Sequence, residues 1–216
     1  MERLIRAARD FAWLLDRGYP ERAALKLVGD RYDLNTGERE LVLRGTVPRE
    51  VARCRREKRV RPGELVGASV AVDGYNVLAT LAHALRRRPL VLARDGFVRD
   101  AERAGPRLCL SPELPRLEAL LLGFLRRYRP AFLGFYLDAP VSGSGELAAR
   151  LRLSLLEPLG IPGEVLALRD AETRVLKAAV VCTADGALVD RARRVFDLAG
   201  HLIVRTLRHP LLRPFP

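Results

Sequence analysis

The stretch Ser69-Val70-Ala71-Val72-Asp73-Gly74-Tyr75-Asn76-Val77-Leu78 decides the fold. Ser69 to Val72 reads as a short buried strand, β-branched at Val70 and Val72 and bounded upstream by Gly63 and Gly67. From Val77 the apolar residues recur at Leu78, Leu81, Ala82 and Leu85, one face of a helix. Asp73 to Asn76 is therefore the turn from a strand's carboxyl end into a helix, the position at which parallel α/β sheets bind ligands. A lone Asp-Gly there is equally well a capped turn. The pattern recurs, however, because further strand-like runs end at or just before Asp95, Asp138, Asp170 and Asp185.

Those runs are Leu90–Ala93, Ala131–Leu137, Glu164–Leu168 and Ala179–Cys182, with a last short strand over Leu202–Val204. Helical patterns fall between them, over Leu114–Tyr128, over Leu147–Leu156, and in a segment with Ala187, Leu188, Ala192 and Val195 inside. Such alternation predicts an α/β fold, a mostly parallel sheet with helices on both faces. Right-handed crossovers then bring the strands' carboxyl ends, and with them Asp73, Asp95, Asp138, Asp170 and Asp185, to one edge.

The front of the chain contains no convincing strand. A helix runs from Met1 to Arg17 and is stopped by Gly18, and Pro20 opens a second. Asn35-Thr36-Gly37 reads as a turn, Glu38–Arg44 as a short helical piece, and Pro48 opens a helix to about Glu57. Residues 1–62 are thus expected to form a small, basic, all-helical module ahead of an α/β domain over 67–216. Arg53, Arg55, Arg56, Lys58, Arg59 and Arg61 are the densest basic cluster and lie just before the Ser69 strand. As a nucleic-acid contact the cluster would hold phosphates without reading sequence; otherwise it is a solvated linker helix.

Of the 216 residues 49% are hydrophobic, enough for a packed core. The formal net charge of +12 points to a polyanionic partner, RNA before a membrane. No apolar run is long enough to cross a bilayer. Cys54, Cys109 and Cys182 are scattered, and no signal peptide is evident, which predicts a reducing, cytoplasmic setting. Neither the cysteines nor His83, His201 and His209 have metal-ligand spacing.

Clustered carboxylates repel and raise one another's pKa unless a cation neutralises them. Oxygen ligands without His or Cys suit Mg²⁺ or Mn²⁺, ions that activate water and stabilise charge on phosphoryl oxygens. An acidic centre in a basic protein thus fits phosphodiester cleavage. The alternative is that the aspartates are helix caps and turn formers. The loop Asp95-Gly-Phe-Val-Arg-Asp100 lacks the Asp-x-Asp spacing of an aspartyl-phosphate enzyme.

Val72-Asp73-Gly74-Tyr75-Asn76-Val77 resembles the opening motif of the PIN-like nucleases, especially their NYN branch. Thr183-Ala-Asp185-Gly-Ala-Leu-Val-Asp190 resembles that superfamily's late Thr/Ser-x-Asp motif, and Tyr136-Leu137-Asp138 its middle strand-end acid. The likeness covers roughly Gly67 to Arg205. The helical front resembles the first half of a prokaryotic family in which a helical domain of unknown function precedes a PIN-like domain. The resemblance implies that Asp73, Asp138 and Asp185 are catalytic, metal-binding acids. Asn76 would orient substrate or a ligand and Asp190 would be a supporting acid, while Thr183 and the strand-end Asp95 and Asp170 are further supporting candidates from the sequence pattern. The resemblance also implies a Mg²⁺- or Mn²⁺-dependent ribonuclease or related phosphodiesterase. The sequence departs from the pattern in one respect: the further mid-domain acid that many PIN-like nucleases carry has no motif here, with Glu118 and Glu146 its possible counterparts. That departure leaves room for a non-catalytic RNA-binding or ribosome-associated protein with a degenerate PIN-like fold.

Overall fold

Alternation within the central strand builds two layers. The computed structural model describes residues 2–100 and 111–215, so Met1, Cys109 and Pro216 lie outside it. Strand β1 (Ser69–Asp73) sends Val70 and Val72 into the larger core and Ala71 into a smaller one on the opposite face. It feeds α5 (Gly74–Leu85), whose residues Tyr75 and Val77 to Ala84 are all buried. That helix follows four others: α1 (Glu2–Leu15), α2 (Glu21–Arg31), α3 (Thr36–Gly45) and α4 (Arg49–Glu57).

After α5 come β2 (Leu90–Leu92), β3 (Val98–Asp100), α6 (Leu114–Arg127) and β4 (Phe132–Asp138). The chain continues through α7 (Ser144–Leu151), a π-helical extension (Arg152–Leu156), α8 (Glu157–Leu159) and β5 (Gly163–Leu168). Then follow α9 (Ala171–Val175), β6 (Val180–Cys182), α10 (Gly186–Arg191), β7 (Val195–Phe196) and α11 (Leu198–Leu202), which runs on as a π-helical turn to Leu207. The five-stranded sheet has the order β5-β4-β1-β6-β7, and every pairing in it is parallel. Successive strands step one way from β1 to β5, and the chain then returns to place β6 on the other side of β1. The carboxyl ends of β1 and β6 thus flank the switch point at which such sheets bind ligands. The α/β class with a helical front is as the sequence predicts.

Four segments differ from the sequence reading. Leu90–Leu92 does not join the parallel sheet but pairs antiparallel with β3. Asp95-Gly96 turns that hairpin, with Gly96 at φ +84°, a conformation glycine adopts without strain. Leu202–Val204 is helical, because the Asp197 carboxylate accepts the Gly200 amide hydrogen and starts α11 there (2.7 Å). Burial of Leu202 and Ile203 in the main core overrides their strand propensity. The last strand is β7, and Val195, expected on a helix, belongs to it. At the front, Asn35 is a helix start rather than a turn. Its side chain accepts the Glu38 amide and the Glu38 carboxylate accepts the Asn35 amide, both at 2.9 Å, a complete capping box.

The front is tied closely to the rest. Phe11, Val28 and Val42 form a core of their own against which Phe215 packs from the far end of the chain. Residue 212 pairs with β2 through Leu212 N–H to Leu90 O (2.8 Å) and Leu92 N–H to Leu212 O (2.9 Å). Residues 58–60 run beside β7, with Val60 N–H donating to Val195 O (2.9 Å) and Val195 N–H to Lys58 O (2.8 Å). The basic segment thus covers a sheet edge that would otherwise be open. Among the described residues no helix is long and apolar enough to cross a membrane.

Candidate functional site

Register places the acids. Asp73, at the end of β1, stands opposite Tyr136, so Asp138 projects two residues beyond it on β4. On the other side Val72 pairs with Cys182, and Thr183 to Asp185 follow directly. Gly74 lets α5 leave the sheet this close to β4. A Cβ there would stand 2.7 Å from Tyr136 O and 2.6 Å from Leu137 Cδ2. The result is a cleft of about 180 Å³ whose walls include Asp73, Asn76, Asp138, Asp185 and Glu172.

Asp73 stands at the N-cap position of α5, where the Asn76 backbone amide helps to hold its charge but closes no regular capping bond. Instead Thr183 Oγ1 donates to Asp73 Oδ2 at 2.7 Å. Thr183 Oγ1 in turn accepts the Asp185 amide (3.0 Å), and Asn76 Oδ1 accepts the Ala184 amide (2.8 Å). These bonds lock β1, the start of α5 and the loop after β6 together, and leave the Asn76 NH₂ group for a ligand. Burial pushes the Asp73 carboxyl up to about 7; the Thr183 bond opposes the shift, and the negative Asp185 and Asp138 add to it. Asp138 is also raised, by burial and then by Glu172. Asp185 meets the capping alternative: its Oδ1 accepts the Ala187 (2.9 Å) and Leu188 (3.0 Å) amides of α10.

The three expected supporting acids, Asp95, Asp170 and Asp190, all lie outside the cleft wall. Asp95, completely buried, accepts from Arg55 (3.0 Å) and from both Nη atoms of Arg99 (2.8 Å each). Burial raises its pKa, but the Arg99 and Arg55 guanidinium groups outweigh that, and the carboxyl stays below its ordinary range. Asp190 is gripped by Arg55 through Nε and Nη2, both at 2.7 Å. These acids do not face the cleft because β2 left the sheet and α10 turned Asp190 toward α4. They act beneath the site, since Arg99 Nε also donates to Ala184 O (2.8 Å) and so fixes the loop that carries Thr183 and Asp185. Asp170 precedes α9 without capping it and is not part of the cleft wall.

Of the mid-domain acids, Glu118 is tied to Arg150 (2.8 Å) and Ser154 (2.9 Å), and Glu146 is exposed on α7; neither lines the cleft. The acid that joins the site is Glu172 on α9, ion-paired to Arg191 at 2.8 Å. Its sequence signal was its place two residues after the strand-end Asp170.

The basic cluster divides. Arg55 is buried in the network just described. Lys58 Nζ donates to the carbonyls of Val189 (3.0 Å) and Asp190 (2.5 Å), and Arg56 to Arg94 O (2.6 Å). Arg53 pairs with Glu50 and Glu57 on its own helix. Arg59 and Arg61 are exposed, Arg59 with its guanidinium 5.3 Å from the Phe97 ring centre.

The donor chemistry of the cleft is that of a hard divalent cation, all oxygen and with one carboxyl near neutrality. Among the described residues, however, no three His, Cys, Asp or Glu side chains close around a common point. The arrangement can move a proton at Asp73 near neutral pH and can present carboxylates to a cation that draws them together.

Fold and cleft define an open, doubly wound α/β protein with an acidic switch-point site. Residues 62–201 match the family described as Domain of unknown function (DUF5616), and the chain belongs to that family. Residues 3–58 match a second, described as Protein of unknown function (DUF434). The chain is 28% identical over 200 residues to Uncharacterized protein MJ0935 of Methanocaldococcus jannaschii, covering 92% of this chain and 95% of that one. No solved structure matches.

Proposed function

We propose that the acidic cleft hydrolyses phosphodiester bonds of RNA with Mg²⁺ or Mn²⁺, as the likeness to PIN-like nucleases implies. The observation that carries this reading is the meeting of Asp73, Asp138, Asp185, Glu172 and Asn76 in one cleft at the sheet's switch point. Asp73, Asp138 and Asp185 would hold the cation, which supplies charge neutralisation and an activated water. Thr183 fixes the orientation of Asp73, and Asn76 offers its NH₂ group to a phosphoryl oxygen. The raised pKa of Asp73 reflects its burial and then the acids crowded around it, which a bound cation would neutralise. The protein's net charge of +12 draws a polyanion toward this otherwise acidic opening.

A second reading, RNA binding without cleavage, is favoured by Asp185, which spends one oxygen on capping α10, and by the open spacing of the acids. One experiment separates the two. Wild type, Asp73→Asn and Asp138→Asn are incubated with a labelled RNA in EDTA and in Mn²⁺, alongside thermal melts. Hydrolysis requires Mn²⁺-dependent cleavage lost in both variants, and a Mn²⁺-induced rise in Tm that both variants reduce. RNA binding with no cleavage in any arm sinks the catalytic reading and leaves the binding one.

A further inference from the structure

A second cavity, of about 390 Å³, shares no lining residue with the acidic cleft. It lies where residues 59–62, the β2–β3 hairpin, α11 and Arg213 of the tail meet. Arg59, Arg61, Arg205 and Arg213 all line it, and none of the four is held in an ion pair among the described residues. The acid in the lining, Asp197, interacts with Arg59 only through space and makes no ion pair with any of the four among the described residues. Its Oδ2 accepts the Val98 amide (2.8 Å), its Oδ1 the Gly200 amide (2.7 Å), and burial pushes its pKa up. The neighbouring His201 is pushed down by burial, then by Arg205 and Arg127, as expected in a positive field. Four guanidinium groups around one concavity make it a positive surface that favours an anion.

The wall is not only basic. Val60, Pro62, Leu92 and Val204, each partly exposed, give it an apolar side that a bare inorganic anion would leave in contact with water, with Phe196 and Val98 buried beneath them. The volume is in the range of small-molecule sites, about 300–1,000 Å³. Guanidinium groups suit phosphate oxygens, and a wall of aliphatic side chains suits the apolar face of a flat base.

We propose that this pocket binds a phosphorylated nucleoside, its phosphate on the arginines and its base against Val60, Pro62, Leu92 and Val204. The nucleoside is either free or the end of an RNA strand. The proposal does not rest on the reading of the acidic cleft.

The test is calorimetric titration of the full chain with AMP, with inorganic phosphate, and with an RNA octamer carrying either a 5′-phosphate or a 5′-hydroxyl. Arg205 and Arg213 are exposed, so Arg205→Ala with Arg213→Ala leaves the fold intact, and a thermal melt checks this. The expected result is AMP binding that weakens at least about tenfold in the double variant, the loss of one charged hydrogen bond or more. It is unchanged by Asp73→Asn, whereas cleavage is not. AMP binding tighter than that of phosphate supports the base contact. A 5′-phosphorylated octamer that outcompetes both AMP and the hydroxyl form identifies the strand end as the source. Octamers no better than AMP identify the free nucleotide. No AMP binding, binding equal to that of phosphate, or binding indifferent to the double variant overturns the proposal.

Discussion

Thr183 donates its hydroxyl hydrogen to Asp73 across the seam between β6 and β1, at 2.7 Å, while its oxygen accepts the amide of Asp185. One small side chain thus joins two of the cleft's acids. Thr183→Val keeps the shape and removes both bonds. The expected cost is about 1–3 kcal/mol, because a partly buried carboxylate loses its donor and a backbone amide its acceptor. Denaturant melts measure it, and Thr183→Ser should recover most of the loss.

The raised pKa of Asp73 makes a prediction with a definite sign. Its ordinary value is 3.8 and its folded value about 7. Below pH 3.8 both the folded and unfolded forms are protonated, and Asp73 contributes nothing. Between these values the folded state keeps a proton that the unfolded chain gives up, so stability falls as pH rises, and above 7 the full penalty is present. Asp73→Asn retains the acceptor for Thr183 and removes the charge. In EDTA the variant should match wild type near pH 4 and exceed it by up to about 4 kcal/mol at pH 8. Equal pH–stability curves would show that Asp73 ionises normally.

Gly74 is a steric requirement of the site. The carbonyl of Tyr136 and the side chains of Phe135 and Leu137 leave no room for a methyl group. Gly74→Ala should destabilise the protein by about 2–3 kcal/mol, through displacement of α5 from β4. Because Asn76 rides on the same first turn, ligand binding at the cleft should weaken along with stability. An unchanged melt would mean that α5 can shift freely.

The sequence makes the switch point legible because the information there is local. Strand β1 alternates between two cores, Gly74 follows it, and Thr183 and Asp185 follow β6, so period and punctuation suffice. The positions of Asp95 and Asp190 depend instead on pairing partners far along the chain. Asp95-Gly96 carries the same strand-then-Asp-Gly signal as Asp73-Gly74. It ends in a hairpin because only a short, strand-forming segment, Val98–Asp100, follows it instead of a helix. Arg55 illustrates the same limit. Within the run Arg53–Arg61 it looks like one more surface cation, and only the fold reveals that Asp95 and Asp190 converge on it.

The division of that cluster leads to a paired prediction. Arg55→Ala leaves the fully buried Asp95 with Arg99 alone and Asp190 with no guanidinium. Breaking a buried pair from one side costs about 3–5 kcal/mol, so this variant should melt far below wild type. Arg61→Ala, at an exposed position, should change stability by no more than about 0.5 kcal/mol. If RNA phosphates meet this face, it should lower the slope of log affinity against log salt by about 1. A stable Arg55→Ala protein would remove the network beneath the site from the account.

The last prediction concerns the two parts of the chain. The family matches divide at residues 58 and 62, and the sequence alone predicts that residues from 67 onward fold unaided. Several contacts across that boundary bear on the outcome. Arg44 pairs with the buried Asp100 (2.6 Å), Asp16 with Arg94 (2.7 Å), and Leu41 packs on Val91 and Leu212. Residues 58–60 also cover the β7 edge. Removing residues 1–62 would take Arg55 from Asp95 and Arg44 from Asp100, expose Val91, and open the sheet at β7. The expected product is poorly soluble or melts without a cooperative transition, whereas the main core around β1 and α5 makes no use of the first four helices. Circular dichroism melts of residues 67–216, alone and mixed with the separately produced front, measure the effect. A sharp transition in the isolated part would establish two independent domains, and rescue only on mixing would establish a single core assembled from both.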